Sequence, residues 1–225
     1  MSRLLSSTLA AAAALSIATS AGAVVPRSRV QGDLFDRAVI TWAKVKTVRA
    51  SFEQTIINAL TGRTLTSTGE YQQERPGKLS VSFADPANDR IVTDGKYVWL
   101  YLPSSAPDQV IRSVQGAGGT GTVDLTAQFF TNPRARYAIN PVGTLVVSGR
   151  ATHGYTLTPK SEDDAPFKIA SVWIDDADAS VRQFEVTDQS GVQRKIRLTS
   201  LATNVPVDES VFRFTPPPGV RIVAR

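Results

Sequence analysis

From residue 50 onward, the apolar residues of this chain recur at every second position. Leu79, Val81 and Phe83 alternate with small or polar neighbours, and the alternation returns at 195–199. Val181, Phe184 and Val186 lie in another extended run. Short turn signals separate the runs, at 75–77, 85–88, 94–95, 175–176 and 189–191. In an extended strand, residues two positions apart share one face and their neighbours point to the opposite face. Strands of about 7–10 residues joined by tight turns predict antiparallel pairing, and no strand–helix rhythm points to a parallel α/β fold.

A helical signal precedes these runs. Its apolar residues recur three or four positions apart, at Leu34, Phe35, Ala38, Val39, Trp42 and Val45. This spacing predicts a helix of about four turns with a single apolar stripe, and Asp33 suits the N-cap position. A helix with such a stripe must cover another apolar surface.

One predicted strand has no polar face. Every residue from Tyr97 to Leu102 is apolar or aromatic, whereas a sheet with one face in water carries polar residues at alternate positions. We therefore expect this strand to be covered on both sides. Two arrangements satisfy this expectation: a central strand of a sandwich, or a curved sheet whose concave face carries a lining and a lid.

A glycine-rich segment at 116–121 interrupts the strand pattern. Residues 123–130, which include Leu125, Phe129 and Phe130, then resemble a short helix. A glycine hinge followed by a small apolar helix is typical of a lid, but a loop beside a docked helix has the same pattern. A phosphate-binding loop is disfavoured, because the segment lacks the Gly-Lys-Ser/Thr ending and the preceding strand-to-helix context.

The N-terminal segment has the pattern of an export signal. Arg3 is its only charged residue, the apolar run Leu9–Ile17 follows, and Ala21-Gly22-Ala23 is a small-residue cleavage site. This pattern predicts a secretory signal peptide at 1–23 and a single exported domain at 24–225. An uncleaved N-terminal anchor is the alternative, although the apolar run is short for a membrane span.

Composition excludes several classes of site. The chain has no cysteine and one histidine, so it cannot form a disulfide scaffold, a cysteine zinc site, a thiolate nucleophile or a multi-histidine metal centre. We therefore expect no metal and no cofactor. The net charge is +5, but the basic residues are scattered along the chain. A mildly basic surface is favoured over nucleic-acid binding, with acidic lipids or an acidic partner as targets for weak electrostatic steering.

Patterns typical of catalysis are missing from the sequence. It contains no Gly-x-Ser-x-Gly elbow, no His-Glu-x-x-His pair and no Walker loop, and His153 is predicted to lie exposed in a turn. The acidic clusters at 162–164 and 175–178 are predicted to be solvated turns rather than calcium sites. An exported, β-rich chain with apolar surface favours a carrier of hydrophobic ligands over an enzyme. The alternative is a secreted β-rich hydrolase or glycan-binding domain.

Five short segments carry a family resemblance. In chain order they are Ala50–Gln54, Gly69–Tyr71 leading to Arg75–Leu79, Ile91–Tyr101, Tyr155–Lys160 and Phe212–Val220. Together they resemble the LolA family of periplasmic carriers of outer-membrane lipoproteins. The resemblance implies a mainly β (α+β) fold: a single antiparallel sheet of about eleven strands, curved into an incomplete, half-open barrel, with lid helices over the concave face.

The resemblance also implies a route and partners. A carrier of this family accepts triacylated lipoproteins from an ATP-driven, LolCDE-like transporter of the inner membrane and delivers them to a LolB-like acceptor at the outer membrane. That acceptor is anchored through a lipidated N-terminal cysteine, which this chain lacks. An acyl chain of about 16 carbons costs on the order of 10 kcal/mol in water, so transit needs a carrier. We expect a monomer, because a self-associating apolar face would compete with cargo.

The resemblance implies a hydrophobic lining and a polar latch. We assign the lining to Leu79, Val81, Phe83, Val98, Leu100, Phe52, Trp42, Phe129 and Phe130. Ordinary core packing is the alternative for these residues. Arg75 is expected to hold the lid closed through hydrogen bonds from its guanidinium to lid backbone, with carbonyl groups near 116–121 as partners. A turn arginine in water is the alternative for Arg75.

Overall fold

The computed structural model describes residues 30–116, 125–161 and 165–224. Its helices are α1 (Val30–Ala43), α2 (Leu125–Phe130), α3 (Pro133–Arg136) and the 3₁₀ helix Glu209–Phe212. Its strands are β1 (Thr47–Asn58), β2 (Arg63–Glu74), β3 (Lys78–Asp85), β4 (Arg90–Asp94), β5 (Tyr97–Tyr101), β6 (Gln109–Val114), β7 (Tyr137–Val147), β8 (Arg150–Pro159), β9 (Phe167–Asp175), β10 (Val181–Asp188), β11 (Val192–Thr203) and β12 (Arg221–Ala224). Within these ranges no helix has the length and apolar character needed to cross a membrane.

Three sequence predictions lie outside the described residues. They concern the signal peptide at 1–23, the acidic cluster at 162–164 and residues 117–121 of the glycine-rich segment. The side chain of Asp33, the predicted N-cap, is also outside the description.

The strands form one sheet in the order β12-β6-β5-β4-β3-β2-β1-β11-β10-β9-β8-β7. Neighbouring strands are antiparallel except β12 and β6, which run parallel. The predicted mainly β fold, built on a single open and curved sheet, is confirmed. The sheet has twelve strands rather than about eleven, because β12 adds a short strand beside β6 after the proline-rich segment 216–218.

The register of the strands decides which side chains share a face of the sheet. Residues paired directly across neighbouring strands point to the same side. On β1, the alternate residues Val48, Ala50 and Phe52 point toward α1, and we call this side the concave face. One row of the concave face crosses six strands through Leu201, Ala50, Tyr71, Val81, Ile91 and Leu100.

The helix α1 covers part of the concave face, as its apolar stripe predicts. Leu34, Phe35 and Ala38 are buried. The Phe35 ring lies edge-on to Tyr155 of β8, with 5.4 Å between the ring centroids, and 5.6 Å from the Phe130 ring of α2. These contacts close a core over β8, β9 and β10.

The strand β5 is covered on both sides, as its apolar sequence predicts. On the convex side, Phe214 packs against Trp99 and Tyr101, with ring centroids 5.7 and 5.8 Å apart. On the concave face, Val98 is only 5% exposed. Within the described residues, the convex side is covered by Phe214, in the segment after the 3₁₀ helix, and not by a second sheet. Of the two predicted arrangements, the curved sheet therefore accounts for this strand and the sandwich does not.

The turn predictions are wrong for His153 and Asp175, whereas 176–178 form the exposed turn that the sequence predicts. His153 is a strand residue of β8, and its Nδ1 lies 2.5 Å from Oδ1 of Asp176. The Asp175 side chain is only 2% exposed, because Arg150 and Arg182 donate hydrogen bonds to it at 2.6 and 3.0 Å. Burial raises the pKa of Asp175, but hydrogen bonds, led by the one from Arg150, outweigh it and hold that pKa below its ordinary range.

Candidate functional site

A cavity of about 340 Å³ lies between the helices and the concave face. Its size falls in the range of ligand pockets, about 300–1,000 Å³. Most of its wall is apolar, formed by Ala38, Trp42, Val45, Val48, Ala50, Phe52, Tyr71, Val81, Phe83, Ile91, Phe130, Ala179, Val181, Phe184, Ile196, Leu198 and Leu201. Such a wall suits a flexible apolar chain better than it suits a polar ligand.

Two sequence periods meet at this wall. Ala38 and Trp42 stand four positions apart and therefore lie on one side of α1. Val48, Ala50 and Phe52 alternate along β1 and therefore point together from the sheet. Because α1 crosses above β1, the apolar stripe of the helix faces the apolar row of the strand across the cavity.

A bulge between β1 and β11 adds a residue to the wall. Phe52 pairs with Leu198, whereas its neighbour Ser51 pairs with Ser200, so the register shifts between them. As a result, Leu198 and Leu201 both line the cavity although they are three positions apart. Strict alternation in the sequence does not predict this arrangement.

Five of the nine predicted lining residues lie on the cavity wall. They are Trp42, Phe52, Val81, Phe83 and Phe130. The rings of Phe52 and Phe83 pack edge to face, with centroids 5.6 Å apart, so β1 and β3 contribute one continuous aromatic patch.

Three predicted strand residues face the same way but do not line this cavity. Leu79 and Val98 are buried on the concave face, in the row nearer the turn at 75–77. Leu100 shares the row of Val81 but lies two strands farther along the sheet. Alternation selects the correct face for all of them, but it does not show how far along that face the cavity extends.

Phe129 is also absent from the cavity wall. It is fully buried in the core, where its ring centroid lies 5.7 Å from those of Phe167 and Phe184. For this residue, the ordinary packing role describes its position, and its neighbour Phe130 is the α2 aromatic that reaches the cavity.

Other wall residues escape the sequence prediction, among them Val48, Ala50, Tyr71, Ile91 and Ile196. Their alternation marks them as strand residues, which is the only signal that the sequence offers. Their convergence on one cavity depends on β1 pairing with β11, a strand far along the chain.

Arg75 joins the turn between β2 and β3 to the end of α1. Its Nη1 donates hydrogen bonds to the carbonyl oxygens of Trp42, at 2.7 Å, and Val45, at 3.1 Å. The guanidinium carbon also lies 4.8 Å from the centroid of the Trp42 ring. Carbonyl groups at a helix C-terminus lack intrahelical donors and carry partial negative charge, so a cationic donor stabilises them.

The partners of Arg75 differ from the expected ones. The hydrogen bonds that its side chain donates go to Trp42 in α1 and to Val45, two residues beyond the end of that helix. The expected partners were carbonyl groups near 116–121, of which 117–121 are outside the described ranges. Arg75 therefore holds the first helix, which roofs the cavity.

A fixed turn presents Arg75 to the helix. The carbonyl oxygen of Gly77 accepts hydrogen bonds from Oγ1 of Thr93, at 2.7 Å, and Nε2 of Gln115, at 3.1 Å. Gly77 has a φ of 87°, in the left-handed region that favours glycine. Hydrogen bonds from β4 and from the residue after β6 thus hold the backbone of the turn. The Arg75 side chain therefore approaches the end of α1 from a fixed direction.

Charged residues lie at two separate places on the cavity wall. Arg182 pairs with Asp178 at 2.6 Å and with Asp175 at 3.0 Å. Arg194, on β11, also lines the cavity, but its side chain makes no hydrogen bond or ion pair with any residue that the structure describes. Arg182 lies near the start of β10, whereas Arg194 pairs with Val186 near the other end of that strand. The neutralised cluster and the exposed cation are therefore separate.

Residues 43–215 match the family model described as outer membrane lipoprotein carrier protein LolA. The chain belongs to the LolA family. The matched region contains β1 to β11 and Arg75, so the strands that form the cavity of this LolA-family chain lie within the family region.

Two relatives, each named outer-membrane lipoprotein carrier protein, match most of the chain. The relative from Serratia proteamaculans (strain 568) is 28% identical over 181 residues, which cover 80% of this chain and 82% of the relative. The relative from Methylobacillus flagellatus is 26% identical over 209 residues, which cover 93% of this chain and 98% of the relative. The likeness therefore extends over a whole domain.

A solved structure supports the fold. The crystal structure of an uncharacterized conserved protein from Thermus thermophilus matches with a TM-score of 0.53 and covers 87% of this chain and 99% of that chain. The two sequences are 13% identical, so this likeness concerns the fold alone.

Proposed function

We propose that this LolA-family chain carries lipoproteins across the periplasm by sheltering their acyl chains in the cavity under α1. The observation that carries the proposal is the roofed, mostly apolar cavity on the concave face. An acyl chain of about 16 carbons costs on the order of 10 kcal/mol when it is left in water. Burial against aliphatic and aromatic side chains removes most of that cost.

The proposed acyl contacts are Trp42, Phe52, Val81, Phe83 and Phe130. Burial and dispersion are non-directional, so these contacts need no matching pattern of polar groups on the ligand. Such a wall accepts the acyl chains of many lipoproteins. It also allows them to leave without a chemical step, provided that the receiving surface is at least as apolar.

Entry of cargo requires α1 to move away from the sheet, because the cavity lies beneath this helix. The hydrogen bonds from Arg75 to the carbonyl oxygens of Trp42 and Val45 oppose this movement. The proposed role of Arg75 is a latch that stabilises the closed, empty form. When cargo leaves, closing of α1 restores these hydrogen bonds and so favours release.

The proposed route runs from the inner to the outer membrane. The pattern at 1–23 supports export with cleavage of a signal peptide, and the relatives carry the name outer-membrane lipoprotein carrier protein. Triacylated lipoproteins come from an ATP-driven, LolCDE-like transporter and pass to a LolB-like acceptor where one is present. The carrier acts as a monomer and without a cofactor. Neither the cavity nor the relatives favour the hydrolase or glycan-binding alternative.

Displacement of a fluorescent fatty acid tests this proposal. We expect the purified protein to bind the probe and triacylated lipoprotein to displace it. Val81→Asp puts a carboxylate in the wall and is expected to weaken probe binding by about tenfold or more, because the acyl chain cannot solvate the charge. Val146→Asp is the matched control, since Val146 is 68% exposed on the edge strand β7. Absence of probe binding, or equal loss in both variants, would contradict the proposal.

A further inference from the structure

The tip of the β1–β2 hairpin exposes apolar side chains that the cavity does not use. Leu60 is 85% exposed, Leu65 is 55% exposed and Ile57 is 39% exposed. A single exposed leucine is ordinary on a protein surface. Leu65 lies on the concave face and Ile57 on the opposite face, so together with Leu60 at the turn they form an apolar patch that wraps the end of the hairpin. Clustered exposed apolar residues of this kind mark interaction sites.

The exposure of Leu60 is built into the turn. Oδ1 of Asn58 accepts hydrogen bonds from the backbone N–H groups of Leu60, at 3.0 Å, and Thr61, at 3.2 Å. The carbonyl oxygen of Asn58 accepts another from the N–H of Gly62, at 2.9 Å. Because these three N–H groups are already paired, they do not lose a hydrogen bond when the turn enters an apolar environment.

Positive charges surround this apolar tip. Arg63 follows the turn in β2, and Arg194 and Lys195 lie beside it in β11. The side chains of all three make no hydrogen bond or ion pair within the described part of the chain. Asp188, in the adjacent turn between β10 and β11, holds its carboxylate in hydrogen bonds to that turn. The tip therefore presents free cations beside exposed apolar side chains.

The patch continues the wall of the cavity. On β1, Gln54 lines the cavity, and Ile56 is the next residue on the same face. Ile56 pairs with Leu65 on one side and with Arg194 on the other, and Arg194 itself lines the cavity. The concave face thus leads from the cavity to the hairpin tip, at the end opposite to the Arg75 latch.

We propose that the hairpin tip, residues 56–65, contacts the surface of an anionic lipid bilayer. Leu60 enters the interface, while Arg63, Arg194 and Lys195 face the lipid headgroups. An apolar insertion with flanking cations supplies the two components that give reversible membrane binding. The inference rests on the proposed carrier function, because it gives acyl chains an apolar path between the cavity and the bilayer.

Co-sedimentation with lipid vesicles tests this contact. We expect the wild-type protein to sediment with phosphatidylcholine vesicles that contain phosphatidylglycerol, and about tenfold less with phosphatidylcholine alone. Leu60→Glu is expected to reduce binding to the anionic vesicles by about tenfold, and Arg63→Ser by about fivefold. Val146→Glu is the matched control on β7 and is expected to sediment like the wild-type protein.

The outcomes separate this contact from the carrier function. No sedimentation of the wild-type protein, equal sedimentation with both kinds of vesicle, or an unchanged Leu60→Glu variant would overturn the membrane contact. Binding of the fluorescent fatty acid is measured on the same proteins without vesicles. Leu60→Glu is expected to bind the probe normally, because Leu60 is not a wall residue. Failure of the wild-type protein to bind the probe would contradict the carrier function instead.

Discussion

The guanidinium of Arg75 lies between the β2–β3 turn and the end of α1, where its Nη1 donates to the carbonyl oxygens of Trp42 and Val45. A hydrogen bond from a charged donor contributes about 1.5–3 kcal/mol. Arg75 does not line the cavity, but Trp42 does. A substitution of Arg75 therefore changes how easily α1 moves away from the sheet, and it leaves the residues of the cavity wall unchanged.

Arg75→Leu is expected to slow the release of cargo. Without its hydrogen bonds the closed, empty form loses stability relative to the open, loaded form. A loss of about 1.5–3 kcal/mol corresponds to a release rate roughly 10- to 150-fold lower. Stopped-flow transfer of the fluorescent fatty acid to vesicles measures this rate. Arg75→Lys, which keeps the charge but not the fork of donors, should lie in between, and an unchanged rate in Arg75→Leu would count against the latch.

At the scale of elements, the pairing of β2 with β3 beside the cavity leaves no room for a side chain at Gly69. A Cβ atom on Gly69 of β2 would lie 2.3 Å from the carbonyl oxygen of Ser82 in β3 and 3.0 Å from the ring of Phe52. The Phe52 ring occupies the space that a side chain at position 69 would need. The aromatic patch formed by Phe52 and Phe83 therefore depends on a glycine here.

Gly69→Ala is expected to lower the free energy of unfolding by about 1–3 kcal/mol. It is also expected to weaken acyl binding, because the added Cβ displaces the Phe52 ring from the cavity wall. Urea unfolding and titration with the fluorescent fatty acid measure the two effects. Thr66→Ala, at an exposed position of the same strand, is the control and should stay within about 0.5 kcal/mol of the wild-type protein. A fully stable Gly69→Ala variant with normal binding would show that the close approach is unimportant.

Elements with a strong period could be predicted from the sequence, whereas the extent of the cavity could not. The helical stripe from Leu34 to Trp42 and the strand with two apolar faces at 97–101 lie where the sequence predicts them, although Val45, predicted on the same stripe, follows the end of α1. Leu79, Val81 and Phe83 have identical alternation, yet only the latter two line the cavity. The strand period identifies a face, and the position of α1 above that face decides which part of it stays open.

Contacts between distant strands account for the other differences. Leu201 enters the wall because a bulge breaks the alternation of β11. Asp175 is buried because Arg150 and Arg182, from neighbouring strands, neutralise it. Local sequence patterns contain no information about either partner, so neither position could be assigned correctly before the sheet order was known.

At the scale of the whole molecule, the two halves of the sheet are packed differently. Over β8 to β10, the first helix and α2 pack on a closed core that includes Phe35, Phe129 and Phe167. Over β1 to β3, the same α1 spans the cavity and is held by Arg75. A helix anchored over one half and latched over the other can open locally while the fold persists. A carrier that loads and unloads repeatedly needs this combination.

Photo-cross-linking in cells tests most directly whether acyl chains of lipoproteins enter the space beneath α1. The photoreactive residue p-benzoylphenylalanine replaces either Phe83, in the cavity wall, or Val146, on the exposed edge of β7. We expect an adduct with triacylated lipoprotein from position 83 and none from position 146. No adduct from position 83, or equal adducts from both positions, would contradict the carrier function.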